Sequence, residues 1–247
     1  MMKRLGVILL AAIVAMGICR PAALAQLVIT EVWQAGSTST TPDWFELTNL
    51  GSSAIDPSTL YYDDGTSPDP TVDSQLAGIT NLAPGESAVY LVSWHDDFPG
   101  PGFPPPFDPS DALAAFDSFW NPNGAYQVGY ILDPVSEGSG GGAGLGGGGD
   151  TVNVFDGNTA GAMLIDSKGY PDSSNEVPED SSQGATWVYN PLTMSDDLQH
   201  AALGVFGAFS SVDGTQVGSP GVVPEPGSIL LMLVGASVVA FRRRRLR

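Results

Sequence analysis

Short β-strand patterns separated by turn signals recur along most of the chain, and they restrict the fold more than any other feature. Each pattern is rich in β-branched or aromatic residues, and Gly, Pro, Asn, Asp or Ser residues lie between one pattern and the next. Strands of this length and spacing are typical of an all-β sandwich or barrel. The patterns cover residues 27–33, 43–49, 60–62, 87–93, 150–156, 163–166 and 185–189.

The second of these patterns predicts which side chains enter the core. Phe45 and Leu47 alternate with Trp44, Glu46 and Thr48 at the two-residue period of a strand. We therefore expect Phe45 and Leu47 on the core face and the other three side chains on the opposite face.

One segment interrupts the β patterns with a helical one. Residues 112–120 are mostly Ala, Phe, Leu and Trp, and Asp108, Ser110 or Asp111 would cap a helix there. Five prolines lie in residues 98–107, which predicts an irregular surface loop. The Gly-rich stretch 138–149 lacks the Gly-Lys-Ser/Thr sequence of a phosphate-binding loop.

The N-terminus has the three parts of a secretory signal peptide. Lys3 and Arg4 are followed by an apolar stretch, residues 5–18, and then by a small-x-small cleavage site that ends at Ala25. Cleavage there would leave Gln26 as the first mature residue. A lipoprotein signal at the single cysteine, Cys19, is disfavoured because bulky Ile18 precedes it.

The C-terminus also has three ordered parts. A Pro-Glu-Pro tripeptide, Pro224, Glu225 and Pro226, precedes an apolar run, residues 229–241. This run is shorter than the ~20 residues of a comfortable membrane-spanning helix. Basic residues favour the cytoplasmic side of the membrane, which leaves the preceding domain outside the cytoplasm. The terminal cluster is Arg242, Arg243, Arg244, Arg245 and Arg247.

This arrangement resembles a PEP-CTERM sorting signal. The resemblance implies processing by an exosortase-type membrane protease, transient membrane anchoring, and delivery to the cell surface or extracellular matrix in a system associated with exopolysaccharide. An ordinary C-terminal anchor is the alternative. The predicted organisation is a signal peptide (residues 1–25), one domain (residues 26–221) and a sorting signal (residues 222–247).

Removal of the signal peptide and of the C-terminal arginine cluster would leave a strongly acidic chain. Of the nine basic residues, only Lys168 remains, against 27 acidic residues, so the net charge is about −26. Nucleic-acid binding depends on Lys and Arg contacts to phosphates, and we therefore expect none. The mature chain has no cysteine, so a packed core rather than disulfides must stabilise it.

The order of segments in the mature chain resembles the lamin tail domain. Residues 27–32 (Leu-Val-Ile-Thr-Glu-Val), 43–51 (Asp-Trp-Phe-Glu-Leu-Thr-Asn-Leu-Gly), 82–87 (Leu-Ala-Pro-Gly-Glu-Ser), 148–156 (Gly-Gly-Asp-Thr-Val-Asn-Val-Phe-Asp) and 218–221 (Gly-Ser-Pro-Gly) carry the resemblance. It implies an immunoglobulin-like β-sandwich, here with one short helix and long Pro- and Gly-rich loops. The family has no shared catalytic residues to transfer, and a fold alone does not give a function.

Few residues offer catalytic or metal-binding chemistry. His95 and His200 are far apart in sequence and belong to no catalytic motif, so we predict no catalytic residue and no cofactor. The densest acidic cluster is a candidate calcium site, although a solvated acidic loop is the simpler interpretation. Its members are Asp63, Asp64, Asp69 and Asp73. Tryptophans that could stack on sugars are more often core residues in strands; they are Trp33, Trp44, Trp94, Trp120 and Trp187.

These observations predict an exported, non-enzymatic protein with a binding or structural module. Its candidate partners are the processing protease, exopolysaccharide and other surface proteins. One alternative is a secreted polysaccharide hydrolase with an unrecognised carboxylate pair. Another is an adhesion module that binds a protein through an exposed sheet edge.

Overall fold

The computed structural model of the chain describes residues 27–34, 42–71, 74–92, 109–121, 123–132, 145, 149–170, 184–189 and 198–222. Within these ranges there are thirteen strands, one α-helix (α1, Pro109–Trp120) and a short 3-10 helix (Pro57–Thr59). The strands are β1 (Leu27–Trp33), β2 (Trp44–Asn49), β3 (Tyr61–Asp63), β4 (Gln75–Ala77), β5 (Ser87–Leu91), β6 (Gln127–Leu132), β7 (Asp150–Phe155), β8 (Leu164–Tyr170), β9 (Gly184–Ala185), β10 (Trp187–Tyr189), β11 (Leu198–His200), β12 (Phe209–Ser210) and β13 (Gln216–Gly218).

Ten of the described strands form one curled sheet. Its order is β11-β10-β1-β2-β5-β6-β4-β3-β7-β8, and β12-β13-β9 form a small second sheet. Although β8 lies at the far end of this order, the Ile29 amide of β1 donates to Asp166 Oδ2 of β8 at 2.8 Å. The Tyr189 hydroxyl of β10 also donates to the Gly169 carbonyl of β8 at 2.9 Å. The sheet therefore curls until β8 lies beside β1.

The predicted fold class is confirmed at the level of a mostly β protein with one helix in the described residues. An immunoglobulin-like sandwich is not confirmed, because the ten strands are hydrogen-bonded in one continuous sheet rather than divided between two packed sheets. The predicted signal peptide and the apolar C-terminal run lie outside the described residues. The one described α-helix, α1, is neither long nor apolar enough to cross a membrane.

The concave side of the curl holds the main core. Phe45 is stacked on Tyr62, with ring centroids 5.4 Å apart, and on Tyr90, with centroids 5.8 Å apart. Leu47 joins the same core, so the predicted inward side chains of β2 are confirmed. Such close-packed aromatic and aliphatic side chains supply the main stabilisation of a chain that would have no disulfide.

The opposite face of β2 is also buried, because α1 packs across it. Trp44 makes edge-to-face contacts with Phe116 at 5.9 Å and with Trp120 at 6.1 Å between ring centroids. Trp33 belongs to the same cluster. The core interpretation is thus confirmed for these three tryptophans; Trp94 and the side chain of Trp187 lie outside the described residues.

The helix begins earlier than the pattern of residues 112–120 indicated. It starts at Pro109, a residue suited to the first helical turn because its missing N–H has no helical partner there. Ser110 and Asp111 are therefore inside the helix and do not cap it. Asp111 lies in the first turn, where a negative charge stabilises the helix dipole.

Candidate functional site

Two buried glutamates form the most unusual feature of the described structure. Glu31 of β1 lies opposite Glu46 of β2 in the strand register, and their exposed fractions are 0% and 1%. A β-bulge between Ile29 and Glu31 adds Thr30 to the first strand. The bulge places Glu31 on the same face as Glu46, beneath α1 and the end of the described chain.

Glu31 accepts three hydrogen bonds. The Thr186 hydroxyl donates to its Oε1 atom. Ser219 contributes two more, from its amide to Oε1 at 2.8 Å and from its hydroxyl to Oε2 at 2.9 Å. The carboxyl group of the first strand is therefore bound by a residue 188 positions later in the sequence.

Glu46 is held in a similar way. The Thr30 hydroxyl donates to Oε1, and the Gly221 amide donates to Oε2, both at 2.5 Å. The Thr30 hydroxyl oxygen also lies 2.8 Å from the Thr48 hydroxyl oxygen. The Thr48 hydroxyl oxygen in turn lies 2.6 Å from the Ser87 hydroxyl oxygen. A chain of buried hydroxyl groups thus extends from the glutamate pair across β1, β2 and β5.

The environment of the pair favours protonation. Burial raises the pKa of Glu31 to about 7, although hydrogen bonds from Thr186 and Ser219 partly oppose the shift. Burial also raises the pKa of Glu46 well above its ordinary value, and the negative charge of Glu31 adds to the effect. The pair therefore retains a proton near neutral pH.

The segment that binds both glutamates, residues 218–222, is called here the C-terminal strap. Its sequence Ser219-Pro220-Gly221-Val222 forms a β-turn in which the Val222 amide donates to the Ser219 carbonyl at 2.9 Å. Gly221 has a φ of +76°, and proline precedes it, as in a type II turn. The turn directs the Gly221 amide toward Glu46.

A pocket of about 380 Å³ lies beside the strap. Its walls include Phe119 and Trp120 of α1, Tyr126, Phe209, and Val222 of the strap. Within the described part of the chain, the Trp120 indole N–H and the Tyr126 hydroxyl are buried without a hydrogen-bond partner. Burial of a polar group without a hydrogen-bond partner is unfavourable. This wall of the pocket therefore contains polar atoms whose hydrogen bonding the protein itself does not complete.

The acidic cluster has a structural role in the residues that are described. Asp63 Oδ2 accepts a hydrogen bond from the Asp69 amide at 3.0 Å and from Asn153 Nδ2 at 3.3 Å. Asp73 lies outside the described residues. In the described ranges, no group of three or more His, Cys, Asp or Glu side chains is placed to hold a metal ion.

The other predicted site residues are not brought together. His200 lies in β11, whereas His95 is outside the described residues. The predicted cleavage site, Ala25 and Gln26, and the predicted sorting residues are also outside them. These sorting residues are Pro224, Glu225, Pro226, Arg242, Arg243, Arg244 and Arg245.

Sequence reasoning did not identify the glutamate pair. The available signal was one acidic residue inside each of two strands that are otherwise apolar or uncharged, at Glu31 and Glu46. With 27 acidic residues in the chain, that signal alone has little specificity.

Residues 222–245 match the PEP-CTERM protein-sorting motif. No curated protein matches the chain. A solved structure of a DUF4876 family protein from Bacteroides thetaiotaomicron is similar at 15% sequence identity, over 53% of this chain and 42% of that one. The TM-score is 0.29, and at that level the likeness carries no argument about this chain.

The match and the described structure meet at Val222, where the strap ends and the sorting motif begins. The chain therefore carries a PEP-CTERM motif, which indicates export and exosortase-dependent sorting to the cell surface or extracellular space.

Proposed function

We propose that the chain is an exported, non-enzymatic surface protein whose β-domain is a binding or structural module. An exosortase-type protease processes the segment that follows the domain. The observation that carries this proposal is the sorting-motif match, which starts at the last residue of the strap. A sorting signal that directly follows a folded domain is expected of a protein that displays this domain at the cell surface.

The glutamate pair supports a structural rather than a catalytic role. Glycosidase carboxylates need access to the glycosidic oxygen and, in most enzymes, to water. Here Glu31 and Glu46 are fully buried and bound by Ser219 and Gly221 of the strap. A substrate could reach them only after the strap had detached.

We further propose that residues 26–221 form a lamin-tail-like domain related to the immunoglobulin-like folds. Support comes from the positions of the resembling segments: residues 27–32 lie in β1, residues 43–51 contain β2, residues 148–156 contain β7, and residues 218–221 lie in the strap. The described strands form one continuous sheet, so the proposal requires that an experimental structure divide them between two packed sheets; one continuous sheet there would contradict it.

The exported protein is expected to begin at Gln26 and to lack the arginine cluster. Intact-mass measurement of the extracellular form, from cells that contain the processing protease, checks both ends at once. In cells without the protease, or with Pro224 and Pro226 both changed to Ala, the C-terminal segment should be retained. Recovery of the full arginine tail from mature extracellular protein of protease-containing cells would contradict the proposed processing.

The hydrolase alternative has one observation in its favour, namely a carboxyl pair that stays partly protonated. We expect the purified exported protein to release no new reducing ends from polysaccharides, with Glu46→Gln as the matched control. Release by the unaltered protein that disappears in Glu46→Gln would establish the pair as catalytic and overturn the non-enzymatic proposal.

A further inference from the structure

The strap fixes the position of Val222, the residue to which the sorting segment is joined and which is called here the exit point. Ser219 and Gly221 are hydrogen-bonded to the buried glutamates, and the Val222 amide closes the turn. The apolar run of the sorting segment begins at Ile229, seven residues after Val222. Seven residues span at most roughly 25 Å, even when fully extended. A bilayer that holds the apolar run would therefore lie close to the exit point.

Exposed apolar side chains lie beside this exit point. Val212 is 65% exposed and lines the same pocket as Val222. Leu203 and Val205, which are 60% and 47% exposed, lie in the neighbouring turn. That turn approaches the strap so closely that a Cβ on Gly207 would lie 2.4 Å from Val222 Cγ1.

These three residues, Leu203, Val205 and Val212, are called here the exit patch. They account for half of the six large hydrophobic side chains that are exposed in the described ranges. Isolated exposed hydrophobics are common, but a group at one place on the surface commonly marks an interaction site.

We propose that the exit patch contacts the lipid interface of the membrane while the sorting segment is still attached. The proposal rests on the membrane anchoring that the sorting motif indicates. The short connection keeps the patch at a high effective concentration at the membrane, so a weak contact is sufficient. Because residues 26–221 hold 26 acidic residues and one lysine, their net charge is −25, and the contact is therefore with apolar and zwitterionic lipid rather than with anionic headgroups.

A fluorescence experiment on the full chain tests this contact. Cys19→Ser removes the single cysteine, and Val212→Cys then provides one site for an environment-sensitive dye. The control is Met163→Cys, because Met163 is 68% exposed, close to the 65% of Val212, and does not line the pocket. Both labelled chains are reconstituted into phosphatidylcholine vesicles with and without a lipid-attached quencher.

The dye at position 212 should emit at shorter wavelength and be quenched several-fold more than the dye at position 163. Leu203→Cys should behave like Val212→Cys. A flexible insertion of twenty Gly and Ser residues after Val223 should reduce the quenching at both patch positions while the chain stays on the vesicles. The reason is that a longer linker lowers the effective concentration of the exit patch at the membrane.

Two results would overturn the proposal, and they have different meanings. If the chain floats with the vesicles but positions 212 and 163 are quenched equally, the domain is anchored without using the exit patch. If the chain does not float with the vesicles, the anchoring on which the proposal rests is wrong as well.

Discussion

Gly221→Ala is expected to lower the free energy of unfolding by about 2–4 kcal/mol, as the sum of a left-handed backbone penalty and a steric clash. Gly221 has a φ of +76°, and a Cβ there would lie 2.1 Å from Tyr126 Cδ1. Displacement of the strap would also remove the Gly221 amide from Glu46. Urea unfolding of the exported protein, followed by tryptophan fluorescence, measures the change.

Gly214→Ala is the matched control for this substitution. Gly214 has nearly the same φ, +75°, but a Cβ there would meet no atom within 4 Å. It should therefore show only the backbone penalty, about 1–2 kcal/mol. Equal losses in the two variants would mean that the added methyl group meets no steric resistance from Tyr126.

The folded domain is expected to be more stable at pH 5 than at pH 8, by about 2.5 kcal/mol from Glu31 alone. Burial raises the pKa of Glu31 from 4.5 to about 7 in the folded state. Between these values the folded chain binds a proton that the unfolded chain does not, so stability decreases as the pH rises from 4.5 to 7. By pH 8 the loss is nearly complete. The raised pKa of Glu46 acts in the same direction.

Glu31→Gln tests the assignment of this pH dependence. The amide does not ionise, so the difference in unfolding free energy between pH 5 and pH 8 should shrink by most of the Glu31 contribution. Glu86→Gln removes one carboxyl group from a half-buried turn and should leave the difference in place, because Glu31 is still present. Urea unfolding of the unaltered protein and of both variants at the two pH values gives the three differences to be compared. A pH dependence that survives in Glu31→Gln would locate its origin elsewhere.

The success of sequence-based prediction differs between individual strands. β1 was predicted with its observed ends because its β-branched and aromatic residues strongly favour the extended conformation of a strand. β6 was missed because it contains Gly129, a residue that normally weakens a strand. The glycine is needed there for packing, since a Cβ would lie 2.4 Å from the Ala77 carbonyl oxygen. Such a requirement comes from a neighbouring strand and is not visible in the local sequence.

The glutamate pair could not be predicted for a related reason. Without the bulge at Thr30, the register that pairs Ile29 with Leu47 would place Glu31 opposite Phe45, with its side chain toward the main core. One extra residue in β1 moves Glu31 to the other face and brings it beside Glu46. Strand propensity and alternation do not reveal a bulge, so the sequence predicted β1 and β2 but not the site that they form.

The long-range bonds of the strap have a consequence for secretion. Ser219 completes the hydrogen bonding of Glu31 from 188 residues further along the chain, so the first strand cannot reach its final state until nearly the whole domain is present. If the chain crosses the membrane N-terminus first, Glu31 and Glu46 emerge before the strap does. Their carboxylates would then still be hydrated, without the strap residues that enclose them. Early burial would be unfavourable because their bonding partners would be missing. We therefore expect translocation to end before folding does. The chain would then stay unfolded, and able to pass through the translocation channel, until its last segment has crossed.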